Sequence, residues 1–386
     1  MKWKILFILA AGVWLPLKTH GAPPNPAGYP ALISTLNTVE KLSFCGEKVP
    51  LHVQDVRERL EKEMLLALWD RPQVLLWLKR SRRYLPPIED MLKESGVPDD
   101  LKYVAIAESA LRPHVGSEKG AVGFWQFMPS TARKFGLTVN RRFDERRNIF
   151  MSTRAAIKYL KVLYDEFGSW ALAMAAYNMG EEGMKAEILA QGTDDYYRLY
   201  LPLETQRFIF RILAVKLIIA NPTGHGFHLT DKDFYPPLIF ETVEIDISEE
   251  VPLQIIARAA NTNFKTIKDL NPHIRGHYLA KGQHSVHIPG SAAADFMPRY
   301  RKLAAKYLLV KRERIYIVQS GDNLSSIAQE FDVPLAALLI WNRLDLKRPI
   351  RPGQRLIIYP NGYGGEKVDT AAEIESNGEE SDGRQR

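Results

Sequence analysis

Cysteine is nearly absent from this 386-residue chain, which contains only Cys45. A single cysteine cannot form an intramolecular disulfide, so the class of small scaffolds held together by several disulfides is excluded. A chain of this length, with 46% hydrophobic and 25% charged residues, can bury a core of normal size without such cross-links. We therefore interpret Cys45 as a small buried apolar residue rather than as a nucleophile.

Long apolar runs are also scarce. The run within residues 1–21 follows two lysines, is too short for a comfortable transmembrane helix, and is followed by small residues just before Ala22. This pattern predicts a secretory signal peptide, and the alternative is an uncleaved membrane anchor. The run Phe208–Ala220 is interrupted by Arg211 and Lys216, so it predicts a buried helix rather than a membrane span.

Signatures of metal sites and of bound nucleotides are missing. The chain has no HExxH, no P-loop, no dinucleotide fingerprint and no nucleic-acid motif, so we expect no cofactor, no metal and no nucleic-acid partner. Four histidines cluster in the second half of the chain, but no acidic ligand joins them at a set spacing. We interpret them as part of a solvated polar face: His273, His277, His284 and His287.

Basic residues outnumber acidic ones, and the formal net charge is +7. The last segment, residues 361–386, runs against this trend because it holds seven acidic and only three basic residues. It is rich in Gly, Ser and Glu, which predicts disorder. The excess of basic residues in the rest of the chain is typical of a protein that binds an anionic partner: a nucleic acid, an acidic membrane face or an acidic cell-wall glycan. Charge alone does not distinguish among these partners.

Two regions with different periodicity follow the predicted signal peptide. From about Val56 to Asn221 the apolar residues recur at three- and four-residue spacing, which predicts an all-α domain. After Pro222 the order strand, helix, helix, strand occurs twice. A shift of 71 residues aligns 253–289 with 324–360 without a gap, with seven identities that include Asn271 and Asn342.

The helix predicted from LKYVAIAESAL carries one acidic residue in its last turn, Glu108. Its neighbours Val104, Ala105, Ala107 and Ala110 are apolar, and a carboxyl group among such residues loses hydration, which favours its neutral form. A carboxyl group that stays protonated near neutral pH can act as a general acid. Taken by itself, the helix also fits a glutamate at a helix end that is exposed to water.

The segments that follow favour a site around this glutamate. Gly120 and Gly123 allow backbone conformations with positive φ and close approach of a ligand. Trp125 is either the wall of a groove or a core residue, and Gln126 is a polar side chain among apolar ones that needs a partner. Further along, Tyr177-Asn178 ends a helix before a glycine, where both side chains are plausible sugar contacts.

Together these residues resemble the soluble lytic transglycosylase family of the goose-lysozyme-like superfamily. The resemblance covers about residues 92–220 and lies in four motifs, in the order of the family: Glu108-Ser109, then Ser117-x-x-Gly120-Ala121-x-Gly123-x-Trp125-Gln126-x-Met128-Pro129-x-Thr131-Ala132, then Ala176-Tyr177-Asn178-x-Gly180, and Pro202-x-Glu204-Thr205. Two features depart from the family. Phe208 stands where the family usually has tyrosine, and the lipid-attachment cysteine of some relatives is missing.

The resemblance implies an activity and a set of site residues. Glu108 would be the catalytic acid that protonates the oxygen between N-acetylmuramic acid and N-acetylglucosamine, and the muramic acid 6-hydroxyl would then close a 1,6-anhydro ring. The substrate-binding residues carried over from the family are Ser117, Gln126, Met128, Tyr177, Asn178 and Glu204. The alternatives are a hydrolytic muramidase of the same fold and a catalytically silent peptidoglycan-binding protein.

The second copy of the repeat resembles a LysM module, whose family binds N-acetylglucosamine-containing glycans. The resemblance covers about residues 315–360, and it implies a glycan contact at Gly321, Asp322, Asn323, Leu324, Arg351 and Pro352. The first copy has Glu250-Val251-Pro252-Leu253 at the corresponding turn and lacks the Gly-Asp pair. We therefore expect it to be a degenerate LysM with a structural role.

The predicted organisation is a multidomain chain with an all-α lysozyme-like catalytic domain followed by two small βααβ LysM-type modules. The predicted boundaries are a signal peptide at 1–21, a mostly helical N-terminal extension at 22–88, the catalytic domain at 89–225, the degenerate LysM-like repeat at 240–290, a helical spacer at 291–313, the LysM domain at 314–360 and a disordered acidic tail at 361–386. We expect a monomer without a stable membrane anchor, exported to the periplasm or cell wall of a Gram-negative bacterium, with peptidoglycan glycan strands as its partner.

Overall fold

The computed structural model describes Leu36 and residues 41–359. The predicted signal peptide at 1–21 and the predicted acidic tail at 361–386 lie outside the described residues. Within residues 41–359, no single helix is long and apolar enough to cross a membrane; the helices Leu324–Glu330 and Leu335–Asn342 pass that test only as a pair, and they are bent by 108°.

The first part of the described chain is helical, as the periodicity predicts. A short antiparallel hairpin, β1 and β2, precedes the helices and pairs Phe44 with Glu47. The elements are β1 Ser43–Phe44, β2 Glu47–Lys48, α1 Gln54–Trp69, α2 Arg71–Glu94, α3 Lys102–Ser109, α4 Pro129–Lys134, α5 Ile149–Phe167, α6 Trp170–Met179, α7 Glu181–Gln191 and α8 Leu203–Ala220.

One hydrophobic core serves this whole region, from Leu42 to Phe227. Helix α2 continues through the predicted boundary between residues 88 and 89 although Pro86 and Pro87 lie inside it. The two prolines suggest a break because each lacks the N–H that bonds the preceding turn, but the buried face with Leu85 and Ile88 runs on across them. Residues 41–88 therefore belong to the same folded unit as the catalytic region.

The second part of the chain consists of two βααβ modules. In the first module, β3 pairs antiparallel with β6; the paired residues run from Glu241 opposite Ile288 to Ile247 opposite Gly282. In the second module, β7 pairs antiparallel with β8. The elements are β3 Glu241–Ile247, β4 Val251–Pro252, α9 Leu253–Ala259, α10 Phe264–Leu270, β5 Tyr278–Leu279, β6 Gly282–Ile288, α11 Phe296–Glu313, β7 Ile315–Ile317, α12 Leu324–Glu330, α13 Leu335–Asn342 and β8 Arg355–Ile357.

Helix α11 is more than a spacer. Its apolar side chains Phe296, Tyr300 and Tyr307 are buried in the core of the first module. The segment predicted as a helical spacer at 291–313 is therefore largely a packed element of that module, because an aromatic stripe on one face of a helix is stabilised by burial.

The asparagine shared by the two repeats has the same structural role in both. Asn271 Nδ2 donates to the carbonyls of Ile267 and His287, and Asn271 Oδ1 accepts from the His287 N–H. Asn342 makes the same three bonds to Leu338 and Ile357. Each asparagine thus ties the second helix of its module to the last strand. In the first copy the bonded strand residue lies sixteen positions after the asparagine, and in the second copy it lies fifteen positions after it. The predicted gapless alignment of the two copies therefore shifts by one residue before the last strand.

The prediction that the four histidines form a solvated face is wrong for three of them: His273 is buried, His284 and His287 are half-buried, and among the four only His277 is exposed. His273 is only 4% exposed, and its Nδ1 lies 3.3 Å from Asn148 Nδ2 of the catalytic domain. His284 stacks on Phe143 at 5.5 Å between ring centroids, and His287 stacks on Phe240 at 4.2 Å. The sequence did not reveal these contacts because Asn148 and Phe143 lie more than a hundred residues earlier, in the helical region, whereas Phe240 lies directly before β3 of the same module.

Backbone bonds complete the contact between the first module and the catalytic domain. The N–H of Asp144 donates to the carbonyl of His273, and the N–H of Arg275 donates to the carbonyl of Arg142, both at 2.8 Å. Phe143 and Ile274 form an antiparallel bridge between them. The first module therefore docks on the loop before α5 through backbone pairing and stacked rings.

This interface predicts a pH dependence of stability. Burial, with added effects of His287 and Lys268, lowers the pKa of His273 from 6.5 to about 4. The folded state thus favours the neutral ring, so the stabilisation is complete above about pH 6.5 and is lost as the pH falls toward 4, by roughly 3 kcal/mol. We expect the thermal unfolding temperature of the wild-type protein to fall between pH 7 and pH 4.5, and the fall to be smaller in His273→Gln.

The matched control is His52→Gln, because His52 is exposed on the N-terminal segment. It should retain the wild-type pH dependence. An equal fall of the unfolding temperature in wild type and His273→Gln would contradict a role of His273 in the pH response.

Candidate active site and glycan-binding modules

Glu108 lies in the last turn of α3, and the end of this helix is fixed from three sides. The helix stops at Ala110, which adopts a left-handed conformation with φ 53°. Ser109 Oγ lies 2.9 Å from the carbonyl oxygens of Ala105 and Phe124, which joins the helix end to the following loop. Arg80 of α2 donates to the carbonyl of Ala110 at 3.0 Å. Glu108 is therefore held on a rigid helix end.

The Glu108 side chain is half-buried, and its carboxyl group is surrounded largely by protein. Burial raises its pKa from 4.5 to about 8; the positive charge of Arg211 opposes this rise, and the negative charge of Glu204 adds to it. The protonated form therefore predominates at neutral pH. A carboxyl group in this state can donate a proton, and the nearby guanidinium can stabilise the carboxylate that remains.

The loop after α3 is held by a buried arginine. Arg146 Nη1 donates to the carbonyls of Gly120 and Phe127 at 2.9 Å each, while its other nitrogens pair with Asp144. Gly123 has φ +88°, and a Cβ atom there would lie 2.0 Å from the carbonyl oxygen of Arg146. Glycine is thus required at 123 because the backbone of the loop packs directly on the Arg146 backbone.

Trp125 is a core residue and not a groove wall. Its side chain is fully buried, and its Nε1 donates to Thr153 Oγ1 of α5 at 3.0 Å. Gln126 adopts a left-handed conformation with φ 46°, and its Nε2 donates to the carbonyls of Val115 and Gly123. The amide of Gln126 therefore stabilises the turn, which accounts for a polar side chain in this apolar segment.

Tyr177 and Asn178 at the end of α6 face the start of α8. The Tyr177 hydroxyl donates to the carbonyl of Trp125 at 2.5 Å, and its ring stacks parallel to Phe208. Burial raises the pKa of Tyr177 well above 10, and the charge of Glu108 adds to this. Asn178 Oδ1 accepts from Thr205 Oγ1 at 2.9 Å. Phe208 is 1% exposed, so it acts here as a packing partner of Tyr177.

The structure places the predicted site residues in two groups. Tyr177 and Glu204 lie within the electrostatic reach of Glu108, and Asn178 is bonded next to Glu204 through Thr205. The other group lies on the loop from Gly116 to Pro129. Ser117 is exposed and its Oγ accepts from the Ala121 N–H, Gln126 stabilises the turn, and Met128 is 39% exposed just before α4.

Arg211 is the site residue that the motifs missed. It lies seven residues after Glu204 on α8, hence on the same helix face two turns further on. Its signal in the sequence is the charge that interrupts the apolar run Phe208–Ala220. Because a charge within a buried helix needs a partner, Arg211 pointed to a nearby carboxyl group, but the sequence did not say which one.

The predicted glycan contact of the second module is assembled from two loops. Asp322 Oδ2 accepts from Tyr316 Oη at 2.8 Å and from the Gln319 N–H at 2.6 Å, and Asn323 caps α12 through the Ser326 N–H. The N–H of Gly353 donates to the carbonyl of Val318, which brings the Arg351–Pro352 loop beside the Gly321 turn. Leu324 is buried beneath them.

The corresponding turn of the first module is built differently. Strand β4 pairs with β5 through Val251–Leu279 and Pro252–Tyr278, so its two loops are bonded to each other. The second module also covers this place, because the Arg343 guanidinium stacks on the Tyr278 ring at 4.6 Å and pairs with Glu250. These contacts join the two modules at the turn where the first one lacks the Gly-Asp pair.

Metal ligation has no obvious place in the part of the chain that the structure describes. Within residues 41–359, no group of three or more His, Cys, Asp or Glu side chains is arranged to hold a metal ion.

The surroundings of Glu108 predict opposite effects of its two charged neighbours. We expect the side-chain carboxyl of Glu108 to titrate near pH 8 in ¹³C NMR spectra of glutamate-labelled protein. Glu204→Gln should lower this pKa because a negative charge is removed, and Arg211→Gln should raise it because a positive charge is removed. Titration of Glu108 near its ordinary value of 4.5, with no response to either substitution, would contradict the burial described above.

Comparison with protein families assigns three segments of the chain. Residues 86–199 match the family described as "Transglycosylase SLT domain". Residues 241–305 match "Lytic transglycosylase MltD, LysM-like domain", and residues 316–358 match "LysM domain". The match at residues 241–305 includes the first turns of α11, which agrees with the packing of that helix on the first module.

Two curated relatives show the extent of the similarity. The chain is 30% identical over 330 residues to the membrane-bound lytic murein transglycosylase D of Escherichia coli (strain K12), which covers 82% of this chain and 72% of the relative. It is 33% identical over 110 residues to a putative tributyltin chloride resistance protein of Alteromonas sp. (strain M-1), covering 28% of this chain and 53% of the relative.

Two solved structures are also similar in part. An inactive mutant of the lytic transglycosylase Slt from Pseudomonas aeruginosa matches with a TM-score of 0.30 and 22% identity, over 39% of this chain and 26% of the other. The 70 kDa soluble lytic transglycosylase of Escherichia coli matches with a TM-score of 0.33 and 19% identity, over 45% and 32%. The chain thus spans about a quarter to a third of these proteins.

The match to the Escherichia coli transglycosylase covers 82% of this chain, far more than the segment 86–199 that matches the transglycosylase domain alone. The fold is a helical lysozyme-like domain followed by LysM-type modules. The chain belongs to the family of membrane-bound lytic murein transglycosylase D, and it is a peptidoglycan lytic transglycosylase.

Proposed function

We propose that this enzyme cleaves the β-1,4 bond between N-acetylmuramic acid and N-acetylglucosamine and releases a 1,6-anhydromuramic acid end, with Glu108 as both acid and base. The observation that carries the proposal is the half-buried position of Glu108 at a rigid helix end within electrostatic reach of Arg211, where burial raises the pKa of its carboxyl group to about 8. The SLT and LysM family matches support the choice of peptidoglycan as substrate.

In the first step Glu108 donates its proton to the bridging glycosidic oxygen. The bond from that oxygen to C1 of the muramic acid breaks, and the N-acetylglucosamine leaves as an alcohol. Positive charge develops at C1, where the carbonyl oxygen of the sugar's own 2-acetamido group can stabilise it. Glu108 is now a carboxylate, and the nearby Arg211 guanidinium favours this charged form.

In the second step the muramic acid 6-hydroxyl attacks C1 from within the same sugar. Its proton passes to the Glu108 carboxylate, which restores the acid, and no water is consumed. One carboxyl group therefore serves both steps, whereas glycosidases with two carboxyl groups place the second one as a nucleophile or as the base for a water molecule.

We assign the groove around Glu108 to residues with exposed or polar groups near it. Met128 and Ser117 offer an exposed apolar and an exposed polar contact on one side, and Glu204 lies exposed on the other. Tyr177, Asn178 and Gln126 are bonded to protein groups, so their role is to hold the groove walls in place as well as to line them.

The second module would tether the enzyme to the glycan through the turn around Asp322 and the Arg351–Pro352 loop. The Gly-Asp pair at the turn of the second module, which the first module lacks, supports this division of roles. The predicted signal peptide supports export, and we propose a monomer that acts at the cell wall in the periplasm without a stable membrane anchor.

Substitution of the acid tests the catalytic assignment. We expect Glu108→Gln to fold like wild type and to lose about 10²- to 10⁴-fold in the rate of peptidoglycan cleavage, because glutamine cannot donate the proton. The measurement is the release of soluble muropeptides from purified peptidoglycan. Glu182→Gln is the matched control, since the Glu182 side chain is 87% exposed, and it should retain full activity.

The same digest identifies the reaction. Mass spectrometry of the wild-type products should show ends that are one water lighter than reducing ends. Reducing ends would instead make the enzyme a muramidase that uses water, and an absence of products would leave only a glycan-binding role.

Substitution in the second module tests the tether. Asp322→Ala removes the carboxylate that holds the turn, so we expect several-fold less protein to sediment with peptidoglycan sacculi, measured in a Glu108→Gln background that does not digest them. Asp345→Ala is the control, because Asp345 is an exposed turn residue of the same module. Equal sedimentation of both variants, with unchanged thermal unfolding, would argue against glycan binding at this turn.

A further inference from the structure

Helix α11 has a basic surface on the side that faces away from the first module. Tyr300 and Tyr307 bury the other side of the helix in the core of that module. Arg301, Lys302 and Lys306 are exposed, and they lie within five residues of one another, hence within about 8 Å along the helix axis. These three residues form a compact cationic surface, which we call the basic face.

The cations of the basic face have no partner in the part of the chain that the structure describes. Arg299 and Lys311, the other basic residues of α11 whose side chains are described, pair with acidic side chains at 3.6 and 3.9 Å. The three residues of the basic face form neither an ion pair nor a hydrogen bond with residues 41–359. Leu309, which is 63% exposed, lies one turn after Lys306 and adds an apolar contact. An acidic segment that includes an apolar residue would match this surface.

The chain contains such a segment itself, in the acidic tail at residues 361–386. The tail holds seven acidic and three basic residues. Within it, Glu373-Ile374-Glu375 places one apolar residue between two acidic ones. The basic face has the same combination with the opposite charge, since Lys306 and Leu309 are neighbours on one side of the helix. The tail and the basic face are therefore complementary in charge and in apolar character.

The acidic tail also begins close to α11. Tyr359, the last described residue, is buried, and its ring centroid lies 6.1 Å from that of Tyr307. Glu366, the first acidic residue of the tail, follows Tyr359 by seven residues, which allows a reach of about 25 Å. Because a helix with its side chains is only about 10–12 Å across, the tail can pass around α11 to the basic face. The covalent connection raises the effective concentration of the tail at this face to about the millimolar range.

We propose that residues 361–386 dock on the basic face of α11, where their carboxylates pair with Arg301, Lys302 and Lys306. The contact is exposed and electrostatic, so it weakens as the salt concentration rises. An anionic polymer must displace the tail before it can use the same cations, which makes the tail a competitor within the chain. The inference rests on charge and on the path of the chain, and it is independent of the reaction at Glu108.

Carbodiimide coupling of the full wild-type chain tests the contact, because this reagent joins a carboxylate to a lysine amine only where the two groups meet. After proteolysis, mass spectrometry should show links within one chain from acidic residues of the tail to Lys302 and Lys306. We expect the yield of these links to fall several-fold at about 1 M salt, where the Debye length is about 3 Å. Arg301→Gln removes one cation and keeps both lysines, so it should lower the yield about two- to fivefold.

The matched controls are on α5 of the helical region, where Arg154 and Lys158 are exposed. Lys158 should give several-fold fewer links to the tail, and Arg154→Gln should leave the links to Lys302 and Lys306 unchanged. Equal yields at Lys158 and at these two lysines overturn the proposal, and so do yields that respond neither to salt nor to Arg301→Gln. Links between two chains also overturn it, because a second copy would then be the occupant. If the tail gives no links and Arg301→Gln sediments less with peptidoglycan sacculi, the basic face binds a polymer outside the chain and the proposal fails.

Discussion

The structure around the site depends on the removal of one carboxyl group from water. Glu108 lies at a helix end that cannot move, because Ser109, Arg80 and the left-handed turn at Ala110 fix it. The loop that follows is fixed in turn by Arg146, which binds carbonyls at both ends of the segment from Gly120 to Phe127. A carboxyl group held in this way stays neutral at neutral pH, and proton transfer is the chemistry it offers.

The second constraint is the use of buried polar groups to join distant segments. Asn148 meets His273, Thr205 meets Asn178, and Asn271 and Asn342 tie helices to strands within the modules. Each of these side chains satisfies backbone or side-chain groups that would be unpaired in the interior. The modules are therefore parts of a connected structure in which the first one docks the second onto the catalytic region.

Much of this architecture could be predicted from the sequence. Helical periodicity up to Asn221 and the repeated βααβ order beyond Pro222 are local patterns, and local patterns determine secondary structure. The predicted position of Glu108 in a last helical turn among apolar neighbours is of the same kind. The predicted boundary between residues 88 and 89 lies within α2, whose buried face continues across Pro86 and Pro87, and the predicted helical spacer at 291–313 packs on the first module through α11. Neither kind of packing is visible in a local pattern, because it depends on which distant side chains cover the helix.

The sequence by itself determined the secondary structure, the repeat and the glutamate at the centre of the motifs, because these are written in neighbouring residues. Only the tertiary structure decided what surrounds that glutamate. Arg211 approaches Glu108 from a helix a hundred residues away, Trp125 turns into the core, and the histidines meet Phe143 and Phe240 rather than water. Burial and charge at a site depend on which distant segments pack there. No single segment of the sequence determines that packing.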